Sequence, residues 1–503
     1  MPTVDTKLGR VRGAQRDGYQ SFRGIRYAQP PVDLLRFKPP MPIIPWVGEY
    51  NATEFGPSAI QPPPETDSPL AARAEPISED CLFLNIYTRQ TDKSGRPVLF
   101  WIHGGGYVSG SGRAYNGSHW VREHDVVVVT INYRMGPLGF LHVGHLDTEL
   151  SASVNVGIQD QICALEWVQE HIASFGGDPD NITIFGESAG GTSTAMLYGC
   201  PRAEGLFHKA IIHSPHVDLI PVGEGHVKFT NRCIERLGGD PLTNGLDTLR
   251  KASVDDLLAL YKPDPATQTK PNLAFRSAES VSFSPSIDGS LIPGPISETI
   301  RSRGTNNPPL MGGGCRHEGT LFAQIVGHQE YNETDAIDFF ESEGVNGSEA
   351  MSAYSKFAPE STPREKLVYA LTDTMFRNSM VRILDATTES GSNCWSWMCT
   401  WESDILDGSL RATHAVELCF LWNWIAAGPS LAGSNAPEDL GKAMRAYWVN
   451  FARTGKPSAP GEPAWPTYTL TDRATLVLDK TREVVNDLDK DVREFWAAHD
   501  PIK

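Results

Sequence analysis

The stretch Asn181-Ile182-Thr183-Ile184-Phe185-Gly186-Glu187-Ser188-Ala189-Gly190-Gly191-Thr192-Ser193-Thr194-Ala195 decides how the chain is read. Ile182, Ile184 and Phe185 mark an apolar strand running straight into Gly-x-Ser-x-Gly, and a run of small residues leaves it as a helix. A serine on so sharp a strand-to-helix turn is forced outward at the edge of a sheet. The small neighbours are needed because strand and helix backbones pass close together there. Ser188 is therefore a candidate nucleophile, set against the plainer reading of an ordinary serine in a Gly-rich turn. An acyl-transfer serine also needs donors for an oxyanion. Ala189 N–H, at the start of the outgoing helix, supplies one together with the helix dipole. A second source lies in His103-Gly104-Gly105-Gly106-Tyr107, directly behind a strand ending at Ile102. Three glycines leave the backbone amides free to point inward. A phosphate-binding loop would continue into Lys-Ser/Thr or a helix start, and this one does not.

The same alternation extends on both sides. Pro97–Ile102 and Asp125–Tyr133 read as buried strands. Asn155–Phe175 carries Ile158, Ile162, Leu165, Val168 and Ile172 at helical spacing, and Gly176-Gly177-Asp178-Pro179 stops it. Asn181–Phe185 and Lys209–His213 read as further strands. The fold class is α/β: a mostly parallel sheet covered by helices on both faces, with its chemistry at the carboxyl ends of the strands. Residues from about 215 to 305 and from 320 to 392 turn helical and polar. With no linker to isolate them, they read as cap-forming excursions of a single domain spanning 1–503. The richest breaker run, Gln61–Glu65, is a loop, and no repeat is visible.

On a doubly wound sheet the expected chain order is serine, acid, histidine. Of the fourteen histidines, six precede Ser188. His208, His213, His216 and His226 follow too closely for an acid-bearing strand to intervene, and His499 sits in the tail. His317 and His328 stay open, but they belong to the segment that best supplies the acid. His414 remains, in a polar stretch ahead of the apolar run Ala415–Phe420, where a loop histidine can reach a serine while staying anchored. Pro308–Gly314 leads to Glu318, the candidate acid that would orient His414 and stabilise its charged form. The competing reading of Glu318 is a surface-loop carboxylate.

Composition narrows the function classes. Forty-four Lys+Arg against 61 Asp+Glu give a net charge of −17, which repels phosphate backbones and excludes nucleic-acid binding as a main role. The longest apolar run, Val126–Ile131, is far below the roughly 18 residues of a membrane span. The N-terminus shows neither a basic region nor an apolar stretch, and the C-terminus shows no lipidation, retention or peroxisomal tag. A cytoplasmic protein is expected, the alternative being a secreted one whose leader has been removed. Eight cysteines are thinly spread. Cys394 and Cys399 would face opposite sides of a strand, against a shared zinc or bridge. His142, His145 and Asp147 read as a solvated loop rather than a metal site. Five sequons (Asn51, Asn116, Asn181, Asn332, Asn346) are a mild hint of secretion.

Taken together, these residues resemble the type-B carboxylesterase/lipase family, the cholinesterase-like branch with the α/β-hydrolase fold, over nearly the whole chain. Glu79–Tyr87 is similar to its second signature. Asn155-Val156-Gly157 through Phe175–Pro179 to Ser188 is similar to its central block, with further matches at Leu35–Pro40 and Trp448–Gly455. The resemblance implies Ser188 as nucleophile, Glu318 as acid, His414 as base, and oxyanion donors at Gly105, Gly106 and Ala189. It implies supporting polar roles for Glu187 and Ser214, and structural ion pairs for Arg36 with Glu79 and Arg134 with Asp160. The family's usual cysteine partner for Cys81 near Ile60 is missing, as are cysteines near Gly239 and Thr248. The loss of both bridges agrees with a reducing compartment. The family's Gln-Ser-Gly turn reads His213-Ser214-Pro215 here.

The expectation is a serine carboxylesterase acting on a small apolar ester without metal or cofactor. Tyr107, Trp422 and Trp424 are candidates for an aromatic gorge, with core packing as the competing reading of the tryptophans. One alternative passes the same acyl-enzyme to an alcohol or amine, as an acyltransferase or lactone-forming enzyme would. Another is a non-catalytic cholinesterase-like binding module. The oligomeric state is left open.

Overall fold

The computed structural model describes residues 1–64, 75–217, 223–262, 283–325, 332–427 and 430–499. The described chain forms two compact units, one of residues within 1–211, 223–262 and 283–295, the other of residues within 212–217 and 296–499.

The first unit begins with β1 (Thr3–Thr6), β2 (Gly9–Arg12), β3 (Ala14–Arg16), β4 (Tyr19–Arg26) and β5 (Glu49–Asn51). It continues with β6 (Phe83–Thr88), β7 (Arg96–Ile102), β8 (Val127–Ile131) and β9 (Gly177–Glu187). β1, β2 and β5 make a small sheet, while the larger one runs in the order β9-β7-β8-β6-β4-β3. β7 lies parallel to both β8 and β9, and β6 and β4 are added antiparallel. Every residue of Val127–Ile131 is fully buried, which is why this strand is a continuous apolar run rather than an alternating one. Each valine and the isoleucine among them contributes roughly 1.5–3 kcal/mol on leaving water. The helices Val156–His171 and Ala189–Gly199 pack along β9.

Strand β10 (Lys209–His213) carries the chain from the first unit into the second. There, β11 (Leu310–Cys315), β12 (Cys394–Cys399) and β13 (Thr475–Leu478) pair in parallel, and β14 (Glu483–Val485) closes the edge antiparallel. Ser214 N–H, just beyond β10, donates to Gly313 O of β11 at 2.8 Å. Helices fill the polar excursions: Gly223–Arg236, Gly245–Lys251, Val254–Ala259 and Ile296–Arg303, then Glu333–Ser342, Gly347–Phe357, Pro363–Thr372 and Asn378–Glu389. A single π-turn, Asp373–Arg377, joins the last two. The bounds differ from the sequence reading in one instructive place. Gly176 does stop the helix, as a left-handed cap at φ 86°, but β9 starts at Gly177 rather than at the expected Asn181, because Gly177 pairs with Arg96 of β7. The helix expected over Asn155–Phe175 holds to His171 and tightens into a 3₁₀ turn, Ile172–Phe175.

Among the described residues no helix is long and apolar enough to cross a membrane, and all eight cysteines are free thiols. His142, His145 and Asp147 go to separate partners. His142 meets Ser286 Oγ at 2.7 Å and His145 meets Asn231 Oδ1 at 2.9 Å, while Asp147 accepts from Glu149 N–H. The two expected ion pairs are present and structural. Arg134 is held by Asp160 in a buried fork at 2.7 and 2.8 Å. Arg36 grips Glu79 and donates to the carbonyls of Leu249, Arg250 and Ala252.

Candidate active site

In the first unit, β9 ends at Glu187 and the helix begins at Ala189, so the whole turn falls on Ser188, at φ 58° and ψ −123°. That backbone is uncommon for a residue with a Cβ and marks a strained turn. The turn is possible because of Gly190: a Cβ there would lie 2.1 Å from Ile102 O, inside the closest approach of strand and helix. Ser188 is half-buried, with Glu187 buried behind it. The Gly104 loop lies directly on this turn. A Cβ at Gly104 would fall 2.5 Å from Glu187 O and 3.1 Å from Ser188 Cβ.

Gly105 and Gly106 are exposed beside that contact at φ +109° and +62°. Neither amide donates to another described residue, and Ala189 opens a helix whose first amides lack intrahelical acceptors. Three N–H groups with no described acceptor thus sit on the segments beside Ser188. His103 serves the loop rather than the chemistry. Its Nδ1–H donates to Gly104 O at 2.8 Å, Tyr133 stacks on it, and burial pushes it down to about 4, so it stays neutral. Tyr107, a gorge candidate, is turned inward: it is buried, with its hydroxyl 3.2 Å from Ser193 Oγ.

In the second unit, β11 delivers its last residue, Cys315, into the turn Arg316-His317-Glu318 before a helix begins at Gly319. Glu318 is buried, not a surface carboxylate. Its Oε1 accepts from Ser214 Oγ and Cys315 N–H, each at 2.6 Å, and its Oε2 accepts from His414 Nδ1–H. His414 sits just before the helix Val416–Leu421 and stacks on Phe376 at 4.7 Å, with Phe322 at 5.3 Å. The loops carrying Glu318 and His414 are stapled together by His317 N–H to Ala412 O (2.9 Å), Ala412 N–H to His317 Nδ1 (3.3 Å), and Thr320 Oγ1–H to Thr413 Oγ1 (2.9 Å). That use of its ring removes His317 from the candidate bases. His328 lies outside the described residues.

Three features here escape the sequence reading. Glu417, one turn beyond His414, is fully buried and accepts from Cys315 S–H at 3.0 Å and from His213 Nδ1–H at 3.2 Å. His213 Nε2 in turn accepts from Trp448 Nε1–H at 3.1 Å, which fixes its tautomer. Burial alone would raise the Glu417 carboxyl, but the bonds from His213 and Cys315 outweigh it and hold the group below its usual range. The Cys315 thiol is pushed far up by burial, the contact with Cys399, and the charges of Glu417 and Glu318. An acidic residue inside the apolar run Val416–Phe420 was the available signal. The third feature is Phe376, whose place over His414 depends on the π-turn and left no signal. Trp422 is buried at the end of its helix and Trp424 is half-buried in the following 3₁₀ turn. No group of three or more His, Cys, Asp or Glu able to hold a metal occurs among the described residues.

A serine on a strand-to-helix turn behind parallel strands, with a Glu–His pair at the end of another, is the pattern of the α/β-hydrolase class. A solved carboxylesterase of Geobacillus stearothermophilus superposes with a TM-score of 0.86 at 34% identity, covering 98% of this chain and 99% of that one. Residues 1–496 match the model of the Carboxylesterase family. The chain belongs to that family and is a serine ester hydrolase. Its relatives include the para-nitrobenzyl esterase of Bacillus subtilis (strain 168), 32% identical over 98% of this chain and 97% of that protein. Another is the phenmedipham hydrolase of Pseudarthrobacter oxydans, 33% identical over 97% of each.

Proposed function

We propose that the protein is a carboxylesterase that hydrolyses small apolar esters through Ser188, His414 and Glu318, working as one catalytic unit over its whole length. Ser188 Oγ attacks the ester carbonyl while His414 takes its proton, and the amides of Gly105, Gly106 and Ala189 hold the oxyanion. His414 then protonates the departing alkoxide and activates water against the acyl-enzyme. Glu318 keeps the imidazole in the Nδ1–H tautomer, so that its other nitrogen acts as base, and stabilises the imidazolium that forms.

One observation carries this reading: the buried Glu318 carboxylate receives three donors, from Ser214, Cys315 and His414. A carboxylate with both oxygens so engaged is set to orient and charge-stabilise an imidazole. An apolar substrate is favoured by the rings of Phe376 and Phe322 against His414. The eight free thiols favour a reducing compartment such as the cytoplasm. The test is steady-state hydrolysis of p-nitrophenyl acetate and butyrate by wild type, Ser188→Ala, His414→Ala and Glu318→Gln. Each variant is expected to lose at least about 10³-fold in kcat with its fold intact. A Ser188→Ala variant retaining activity overturns the assignment. Product release partitioned to added methanol rather than to water would point to an acyltransferase instead.

A further inference from the structure

The second unit holds a cavity of about 590 Å³ at the carboxyl ends of β11, β12 and β13, inside the range of roughly 300–1,000 Å³ typical of ligand sites. The carboxyl edge of parallel strands is where α/β folds place ligands. Its floor comes from the residues that follow those three strands, His317, Trp401 and Lys480 among them. Tyr369 and Phe357 line it from two helices of the excursion.

The donors and acceptors on this lining are unequal. Both carboxylates are already engaged. Asp479 accepts from Thr400 Oγ1 at 2.7 Å and from Lys480 N–H at 2.6 Å, and Glu402 accepts from Arg411 at 3.1 and 3.2 Å. The donors are not. Lys480 Nζ stands 5.4 Å over the Trp401 ring and has no carboxylate partner among the described residues. The hydroxyl of Tyr369, a buried residue, accepts from Arg411 at 2.7 Å, and its own proton has no acceptor among the described residues. Three guanidinium groups stand near this wall: burial, then Arg411, Arg316 and Arg377, push His317 down to about 2. In a chain of net charge −17, a concave surface with spare cationic and hydroxyl donors beside flat aromatic faces fits one kind of guest.

We infer that this cavity is an effector site for an aromatic monocarboxylate, with the carboxylate on Lys480 and Tyr369 and the ring on Trp401 and Phe357. Such acids are what hydrolysis of an aromatic ester releases, a link that rests on the esterase reading above. The site bears on catalysis through its walls. His317 adjoins Glu318, Arg411 lies three residues before His414, and the backbone staple between His317 and Ala412 joins the two loops. Occupancy therefore acts on kcat rather than on substrate binding.

The experiment is calorimetric titration of 2-naphthoate into the full chain, as wild type, Lys480→Glu, Tyr369→Phe, and wild type phosphonylated by a fluorophosphonate. The inference expects one saturable site that survives phosphonylation and weakens at least about tenfold in Lys480→Glu and by a smaller factor in Tyr369→Phe. Naphthoate at saturation is expected to change kcat for p-nitrophenyl acetate in wild type, with KM unchanged, and to leave Lys480→Glu unaffected. No saturable binding up to about 10 mM overturns the site, as does an affinity within about twofold in Lys480→Glu. Loss of binding on phosphonylation assigns the naphthoate to the serine pocket and overturns the site equally. Binding without any change in kcat overturns its effector role. An inactive or unlabelled wild type would count against the esterase reading alone, since naphthoate binding to wild type and Lys480→Glu is read without turnover.

Discussion

Replacing Ser214 by Ala removes one hydroxyl, 2.6 Å from Glu318 Oε1, and nothing else that touches the candidate acid. Glu318 is 1% exposed, so water does not readily replace the lost donor, and Oε1 keeps only Cys315 N–H. A hydrogen bond to a charged group contributes about 1.5–3 kcal/mol. If that energy is used to hold the carboxylate against His414 as the imidazole becomes charged, its loss appears in the barrier. At 1.4 kcal/mol per factor of ten, kcat/KM falls about 10- to 100-fold, mostly in kcat. The fold is barely affected: for a chain of this size such a loss lowers Tm by about 3 °C or less. The assay is p-nitrophenyl butyrate hydrolysis beside a thermal melt. A kcat/KM within about twofold of wild type would refute the reasoning, because it would mean the hydroxyl does not brace the acid.

Other perturbations follow from the same geometry. Gly190→Ala sets a Cβ 2.1 Å from Ile102 O, so strand and helix must part; a loss of about 3 kcal/mol or more is expected in the urea midpoint, together with the activity. Asp160→Asn leaves the buried Arg134 guanidinium without its counter-charge, at a cost of about 3–5 kcal/mol, read as lower soluble yield and Tm. His142 and His226 stack at 4.5 Å and are pushed down by burial to about 3 and about 4. Below the unfolded value of about 6.5 the unfolded chain then binds more protons, so stability is complete above that pH and falls as pH drops from about 6.5 toward 4 and below. His226→Phe, which keeps a ring against His142, is expected to flatten this acid limb in denaturation midpoints measured between pH 7 and pH 4.5. An unchanged slope would exclude the pair as its source.

What the sequence carries and what it withholds follow from chain separation. The strand-to-helix turn at Ser188 is legible because strand, glycines and helix are contiguous, and the tight approach at Gly190 is written into the motif itself. Glu318 and His414 are legible as an ordered pair on a recognisable topology. The Glu417–His213–Trp448 chain is not, since it joins residues 204 and 235 positions apart, and each member alone reads as ordinary. The early start of β9 at Gly177, ahead of Asn181, is not legible because it comes from pairing with Arg96 and not from local composition. The π-turn at Asp373–Arg377 is invisible for a similar reason. It answers to tertiary demands, turning Phe376 onto His414 while Arg377 meets Asp373 and Asp489 at 3.0 and 3.4 Å. The cavity beside Trp401 and Lys480 likewise exists only once three strand ends are brought side by side.

The central claim is that Ser188 is a nucleophile activated by His414. Intact mass after incubation with a fluorophosphonate tests it most directly, on wild type, Ser188→Ala and His414→Ala. The account predicts one adduct on wild type, mapped to Ser188, absent in Ser188→Ala and formed far more slowly in His414→Ala. A folded wild type that takes up no adduct, or one that labels at another residue, would contradict it.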